Sequence, residues 1–237
     1  MTQTKNLQVT ALTLAALEAF ASLSHEQREK IAPLLRGRRY TAGEFIVRQK
    51  DVDHGVYFIV SGQVRVKFFG ARARTVSFRD LRAGEMFGEL AALDGDPRSA
   101  QVEALEPTLV VSLPRTSFQQ LLSQNAALSN YVLRRLARLV RLLSDHVVEL
   151  TTLGVNNRIH AELLRLARAA GVGNNRATLD NMPTHLEIAN RVSTQREAVS
   201  KEFAVLRKAG IIHKAAGRPL MVMDVGRLER MVMDVGA

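Results

Sequence analysis

The chain has 237 residues, 46% of them hydrophobic, with 33 Lys and Arg against 23 Asp and Glu for a net charge of +10. That length holds one large domain or two smaller ones, and the basic excess favours a polyanionic partner, nucleic acid before an anionic membrane surface. The absence of cysteine excludes disulfides, thiolate zinc fingers, cysteine-ligated iron–sulfur clusters and cysteine nucleophiles.

The opening MTQTKNLQVT has one Lys and no apolar core, so no signal peptide is expected. Apolar stretches are short and soon interrupted by charge, so no membrane span is expected and the protein reads as cytoplasmic. Short helices are predicted at about 12–36 and 115–125. Between them Phe45-Ile46-Val47, Val56 to Val60, Val64-Arg65-Val66, Thr75 to Phe78 and Leu109 to Leu113 read as strands. The turns are Ala42-Gly43, Ser61-Gly62, Phe69-Gly70, Ala83-Gly84 and Asp94-Gly95. Strands recurring at roughly 8–12 residues with turn signals predict a sandwich or barrel.

Within Gly84 to Ala100, Gly88 lets the chain turn tightly into Glu89-Leu90-Ala91, the start of a short helix whose unpaired N–H groups attract an anion. Arg98 adds a bidentate fork for phosphate and Ser99 a hydroxyl. Glu89 would repel an anion, but it can accept a hydrogen bond from a neutral hydroxyl such as a ribose 2′-OH. The implied ligand carries both groups. The structural alternative is a bare turn at Gly88 with Arg98 and Glu89 paired to each other.

Residues 126–154 carry no Gly or Pro until Gly154 and read as one long helix. Leu133, Leu136, Val140, Leu143, Val147 and Leu150 follow one another at steps of three and four, a heptad seam, with Arg134, Arg135, Arg138 and Arg141 off it. So narrow a stripe predicts pairing with a second copy rather than packing on its own domain. A further helix runs from Asn156 to Ala170 and stops at Gly171-Val172-Gly173.

Residues 184–218 hold seven Lys and Arg and three Asp and Glu, a local charge of +4. Thr184-His-Leu-Glu187 and Thr194-Gln-Arg-Glu197 both fit the capping box that opens a helix. Two short helices joined at Val192-Ser193-Thr194 make a helix-turn-helix, the second exposing Gln195, Arg196, Glu197 and Lys201 to the major groove before Gly210 stops it. Arg can read guanine O6/N7 and Glu can accept from cytosine N4. Ile211 to Lys214, a turn at Ala216-Gly217-Arg218, and Leu220-Met221-Val222 predict a β-wing. The hexapeptide Met-Val-Met-Asp-Val-Gly occurs at 221–226 and again at 231–236, too few copies for a solenoid, and no function is assigned to it.

Phe87-Gly88-Glu89-Leu90, six residues, then Pro97-Arg98-Ser99-Ala100 resembles the phosphate-binding cassette of cyclic-nucleotide-binding domains, and Tyr57 to Val66 resembles the strand signature before it. Gln195-Arg196-Glu197-Ala198-Val199-Ser200-Lys201 is similar to the recognition helix Ser-Arg-Glu-Thr-Val-Gly-Arg of the catabolite activator (CRP/FNR) family of bacterial transcription regulators, and Asn157-Arg158-Ile159 to its Gly-Arg-Ile. The resemblance implies an α+β protein: a jelly-roll-like, cyclic-nucleotide-binding β-roll over 1–125, a dimerisation helix over 126–154 and a winged helix-turn-helix over 155–237. It implies Glu89 on the ribose 2′-OH, Arg98 on the cyclic phosphate, the Gly88, Leu90 and Ala91 backbone assisting, and Ser99 on phosphate or base. The adenine-contacting pair of the dimer helix falls on Leu143 and Ser144, so that only one of the two hydroxyls is kept.

The resemblance implies cAMP or cGMP as the ligand and, as partners, a second copy, double-stranded DNA with palindromic TGTGA-like half-sites, and RNA polymerase. Thr194, Gln195, Arg196, Glu197, Ser200 and Lys201 form the DNA face, with Arg196 on guanine and Glu197 on cytosine. Lys201 lacks the fork of the family's Arg, which relaxes discrimination at one base. The alternative is a dimeric DNA-binding regulator of the same fold that needs no nucleotide. Six scattered histidines suggest neither a metal site nor haem ligation, and without a His-Glu-x-x-His, Gly-x-Ser-x-Gly or Walker pattern no enzyme is expected.

Overall fold

Two short helices open the described chain, α1 (Ala11–Ala15) and α2 (His25–Ile31); in the second, Ser24 and Gln27 form a reciprocal capping box. The computed structural model describes residues 8–69, 75–180, 182–214 and 217–233. They fall into two units, one ending at Leu139 and the other beginning at Val140. Of the expected turns, Gly70 and Ala216 lie outside the described residues, as does the end of the second hexapeptide at 234–236.

The first unit is a roll of two antiparallel sheets. Strands β1 (Arg36–Tyr40), β2 (Phe45–Val47), β3 (Val56–Ser61), β4 (Gln63–Phe69), β5 (Thr75–Arg82) and β6 (Met86–Phe87) precede helix α3 (Glu89–Asp94). Strands β7 (Gln101–Ala104) and β8 (Thr108–Leu113) and helix α4 (Arg115–Gln124) follow it. One sheet runs β1-β8-β3-β6 and the other β2-β7-β4-β5. Ile59, Val64, Leu81, Val102 and Val110 fill the space between them. A second core, with Phe20, Phe58, Leu113 and Phe118, seats the helices on the outside of the first sheet. The segment 12–36, expected to be helical, ends in β1, where Gly37 and Tyr40 point inward and Arg36, Arg38 and Arg39 outward.

Helix α5 (Ala126–Thr152), 27 residues and so about 40 Å long, has neither Gly nor Pro to interrupt it. Its first half belongs to the roll: Leu128, Val132 and Arg135 are buried there, and Leu136, expected in the seam, packs against the roll's own core.

In the second unit α6 (Val155–Ala170) ends at Gly171, whose φ of 91° few side chains tolerate. Strand β9 (Ala177–Leu179), helices α7 (His185–Arg191) and α8 (Arg196–Lys208), strands β10 (Ile212–His213) and β11 (Leu220–Val222) and helix α9 (Val225–Met233) follow. The strands form one antiparallel sheet, β10-β11-β9. Ile159, Leu163, Val199, Phe203, Leu206, Val222 and Leu228 pack as its core. Thr184 caps α7 with the expected reciprocal box. The box expected at Thr194 does not form, because the N-cap of α8 is Gln195 and it makes no side-chain bond. Ser193 takes a left-handed φ of 53° and the Thr194 N–H bonds to the Ala189 carbonyl, which brings the chain into the helix one residue later.

Candidate functional site

Gly88 sits at the N-terminus of α3 with φ 84°. A Cβ there would lie 2.6 Å from Nη1 of Arg98 and 3.0 Å from the Gly55 carbonyl, so glycine is what lets the guanidinium cross the loop. Arg98, 4% exposed, donates from Nη1 to the Gly88 carbonyl (2.9 Å) and from Nη2 to the Gly55 carbonyl (2.6 Å) and Asp53 (2.9 Å). Its Nε is buried with no partner. Burial would raise the Asp53 pKa, yet hydrogen bonds from the Tyr57 hydroxyl, the Gly55 N–H and Arg98 hold it below the usual range. Tyr57 is pushed up by burial and by Asp53.

Arg98 and Glu89 therefore do not pair. Glu89, 5% exposed, faces Arg135 of α5 at 3.6 Å from Nε. Arg135 also lies 3.8 Å from Glu85 and donates to the Met86 carbonyl. Expected off the seam, it is turned into the roll, where one buried cation holds one buried carboxylate in place.

Glu89, Arg98 and Arg135 line a cavity of about 80 Å³. Gly88, Glu89, Leu90, Ala91, Arg98 and Ser99 meet in it as the sequence predicts. Val47, Val66, Leu81 and Val102 form an apolar floor, joined by Phe68, Arg79, Arg135 and Leu139. Two features fit a ligand with a phosphate and a sugar hydroxyl: an orphaned donor on a buried arginine, and a fixed carboxylate acceptor. Arg79, Arg135 and Leu139 are the residues that the sequence reading missed; their signals were the inward alternation of Arg79 and Leu81 on β5 and the four-residue step from Arg135 to Leu139 on α5. Leu143 and Ser144 belong to the second unit, where both are exposed and Ser144 Oγ donates to the Val140 carbonyl at 3.0 Å.

In the second unit α8 buries Val199, Glu202, Phe203 and Leu206 and exposes Gln195, Arg196, Glu197, Ser200 and Lys201, with Thr194 half-buried. His185 of α7 bonds Ser200 at 2.8 Å and packs 4.8 Å from the Phe203 ring. Burial lowers the His185 pKa, and Arg196, Arg207 and Lys214 lower it further. Buried Glu202 bonds buried His160 of α6 at 2.7 Å. Arg158 donates to the carbonyls of Val192 in the turn before α8 (3.0 Å) and Leu153 just after α5 (2.9 Å). Glu162 accepts from Arg191 at 2.9 Å and from Arg165, which reaches Glu149 of α5 at 2.9 Å. The turn is thus tied to the C-terminal end of α5.

Residues 37–125 match the cyclic nucleotide-binding domain family and residues 157–231 the Crp-like helix-turn-helix domain family. The "Cyclic AMP receptor protein" of Thermus thermophilus is 30% identical over 200 residues, 84% of this chain and 89% of that protein. The "CRP-like cAMP-activated global transcriptional regulator" of Mycobacterium tuberculosis is 28% identical over 194 residues, 81% and 85% of the two chains. A solved mutant of CooA from Carboxydothermus hydrogenoformans shares the fold with a TM-score of 0.77 at 21% identity, over 98% of this chain and 100% of that one. Among the described residues no cluster of His, Cys, Asp or Glu could hold a metal ion, and no helix is long and apolar enough to cross a membrane.

Proposed function

The chain belongs to the CRP/FNR family of DNA-binding transcription regulators, with a cyclic-nucleotide-binding domain and a Crp-like helix-turn-helix, and from that premise we propose a cytoplasmic homodimer, not an enzyme, switched by cAMP or cGMP. The observation that carries this is the buried Arg98 with its unpartnered Nε, lying across Gly88 beside a Glu89 held by Arg135. Arg98 and Ser99 take the cyclic phosphate with the Leu90 and Ala91 amides, and Glu89 accepts from the ribose 2′-OH. Because Glu89 answers to Arg135, a ligand at Glu89 acts directly on α5. The same helix carries the exposed stripe proposed as the dimer seam and the positions Leu143 and Ser144 proposed to face the base. Arg158 joins its end to the turn before α8.

The proposed DNA face is Thr194, Gln195, Arg196, Glu197, Ser200 and Lys201, reading palindromic TGTGA-like half-sites about one helical turn, roughly 34 Å, apart. RNA polymerase is the proposed further partner. Calorimetric titration with cAMP and cGMP tests the site. Loss of the one charged phosphate donor in Arg98→Ala should weaken binding by about 2–3 kcal/mol, and an unchanged affinity would sink the assignment.

One observation favours a second reading, DNA binding without nucleotide: both terminal nitrogens of Arg98 already have protein acceptors. It predicts no heat with either nucleotide and retained binding to a TGTGA-type duplex.

A further inference from the structure

Three arginines and three acids meet at and around the cavity, but two of the acids face the same arginine. Asp53 pairs with Arg98, and Glu85 and Glu89 face Arg135. Arg79, the third arginine of the lining, has no hydrogen bond or ion pair among the described residues. It is half-buried on β5, with Arg135 as a like charge close by and Glu85 and Glu89 attracting it only from beyond ion-pair distance. Burial and Arg135 both pull its pKa down. A guanidinium drawn out of water beside another guanidinium is unfavourable unless an acceptor completes it. Among the described residues no acid of the lining comes within ion-pair distance of Arg79, which leaves its fork open to a ligand.

Its place in the sheet says which part of the ligand. Arg79 stands opposite Val66, and Val66 opposite Val102. Arg79 is therefore two strands away from β7, roughly 10 Å at about 4.8 Å per strand, and β7 is the strand that Arg98 and Ser99 lead into. Arg98 and Ser99 thus stand beside β7 and Arg79 two strands along the same sheet, on the side of Arg135, with Val66 and Val102 between. Apart from Glu89 and Ser99, both at the sugar–phosphate end, the described lining has no side-chain acceptor for an adenine amino group, which leaves such an amino group only the Ser144 hydroxyl proposed above to face the base. Guanine instead presents O6 and N7 side by side, the pair that an arginine fork takes up; adenine sets its N6 amino donor next to N7, where it faces another donor.

We propose that Arg79 reads the purine edge of the bound nucleotide and makes this pocket selective for guanine, so that the ligand is cyclic GMP; this rests on the cyclic-nucleotide function proposed above. The test titrates the full-length protein, dialysed free of nucleotide, with cGMP and with cAMP, as wild type, Arg79→Met, Arg79→Lys and Arg98→Ala. Wild type should prefer cGMP by about tenfold or more, and Arg79→Met should weaken cGMP by about tenfold while leaving cAMP within about threefold. Arg79→Lys, which keeps the charge without the fork, should lose most of the preference too, and it answers the question if the methionine variant fails to fold. Equal affinities, or a preference for cAMP, in the wild type overturn the selectivity. So does Arg79→Met weakening both nucleotides alike, which would place Arg79 on the sugar or phosphate. No binding of either nucleotide by wild type, or an Arg98→Ala variant that binds both normally, overturns the cyclic-nucleotide site itself.

Discussion

A single hydrogen atom at position 88 decides whether the loop can carry its arginine. In Gly88→Ala the added methyl must hold a φ of 84°, which costs about 1–2 kcal/mol for an L side chain, and it must also sit 2.6 Å from Arg98 Nη1. The guanidinium has little room to yield, since three acceptors on Asp53, Gly55 and Gly88 already fix it. The expected outcome is a lower urea midpoint together with a loss of nucleotide affinity of more than about tenfold, the scale of about 1.4 kcal/mol. Unfolding and titration curves that both match wild type would mean that the loop is not held this way. The residues proposed to bind a phosphate were legible in the sequence because they are close along the chain: a glycine, a short helix and an arginine ten positions on need only local geometry to meet. Arg79 and Arg135 were not, because each stands in an element whose pattern has an independent explanation. For a lone Arg among strand residues, or one of four on a helix that looks solvated, the only signal is its spacing from Leu81 or Leu139, which is too weak to outweigh a solvated reading.

Helix α5 has two different faces along its length. In the roll it buries Leu128 and Val132. Further on, Val140 is 61% exposed, Leu143 43% and Val147 59%, an apolar stripe that nothing among the described residues covers. Burial of such a stripe against its symmetry mate is the simplest way to remove it from water. Val140→Lys with Val147→Lys puts like charges into that seam without touching the roll's core, so sedimentation should show monomers where wild type sediments as a dimer. A doubly substituted protein that stays dimeric would move the interface elsewhere. The strict heptad spacing made this helix readable from sequence, whereas five elements escaped, the short strands β6 and β7 among them. Strand β1 is hidden by its three outward arginines. Strand β9 has only three residues and exists through its pairing with β11. Helix α9 contains the second Met-Val-Met, while the first lies at β11: Met221 and Val222 extend opposite Thr178 and Ala177, and Met231 to Met233 coil. The tripeptide Met-Val-Met, extended in one copy and helical in the other, shows that neighbours, not propensity, decide at this length.

On the scale of the whole molecule, helix α5 runs on from the proposed ligand site towards the segment that carries the proposed DNA face, and any coupling between the two must be reciprocal. If the nucleotide favours the DNA-binding state, the factor by which it tightens a TGTGA-type duplex must equal the factor by which the duplex tightens the nucleotide, on the order of 5–150-fold. The two ratios are independent measurements, anisotropy for DNA with and without saturating nucleotide and calorimetry for nucleotide with and without DNA. They have to be taken at one salt concentration. The net charge of +10, with +4 concentrated over 184–218, makes duplex affinity fall steeply with salt through counterion release, whereas the buried Arg98 and Glu89 are screened far less. Equal ratios well above one are the expected result. Two ratios of one would leave a DNA-binding dimer whose pocket has no say in regulation, since a ligand that binds both states equally shifts neither.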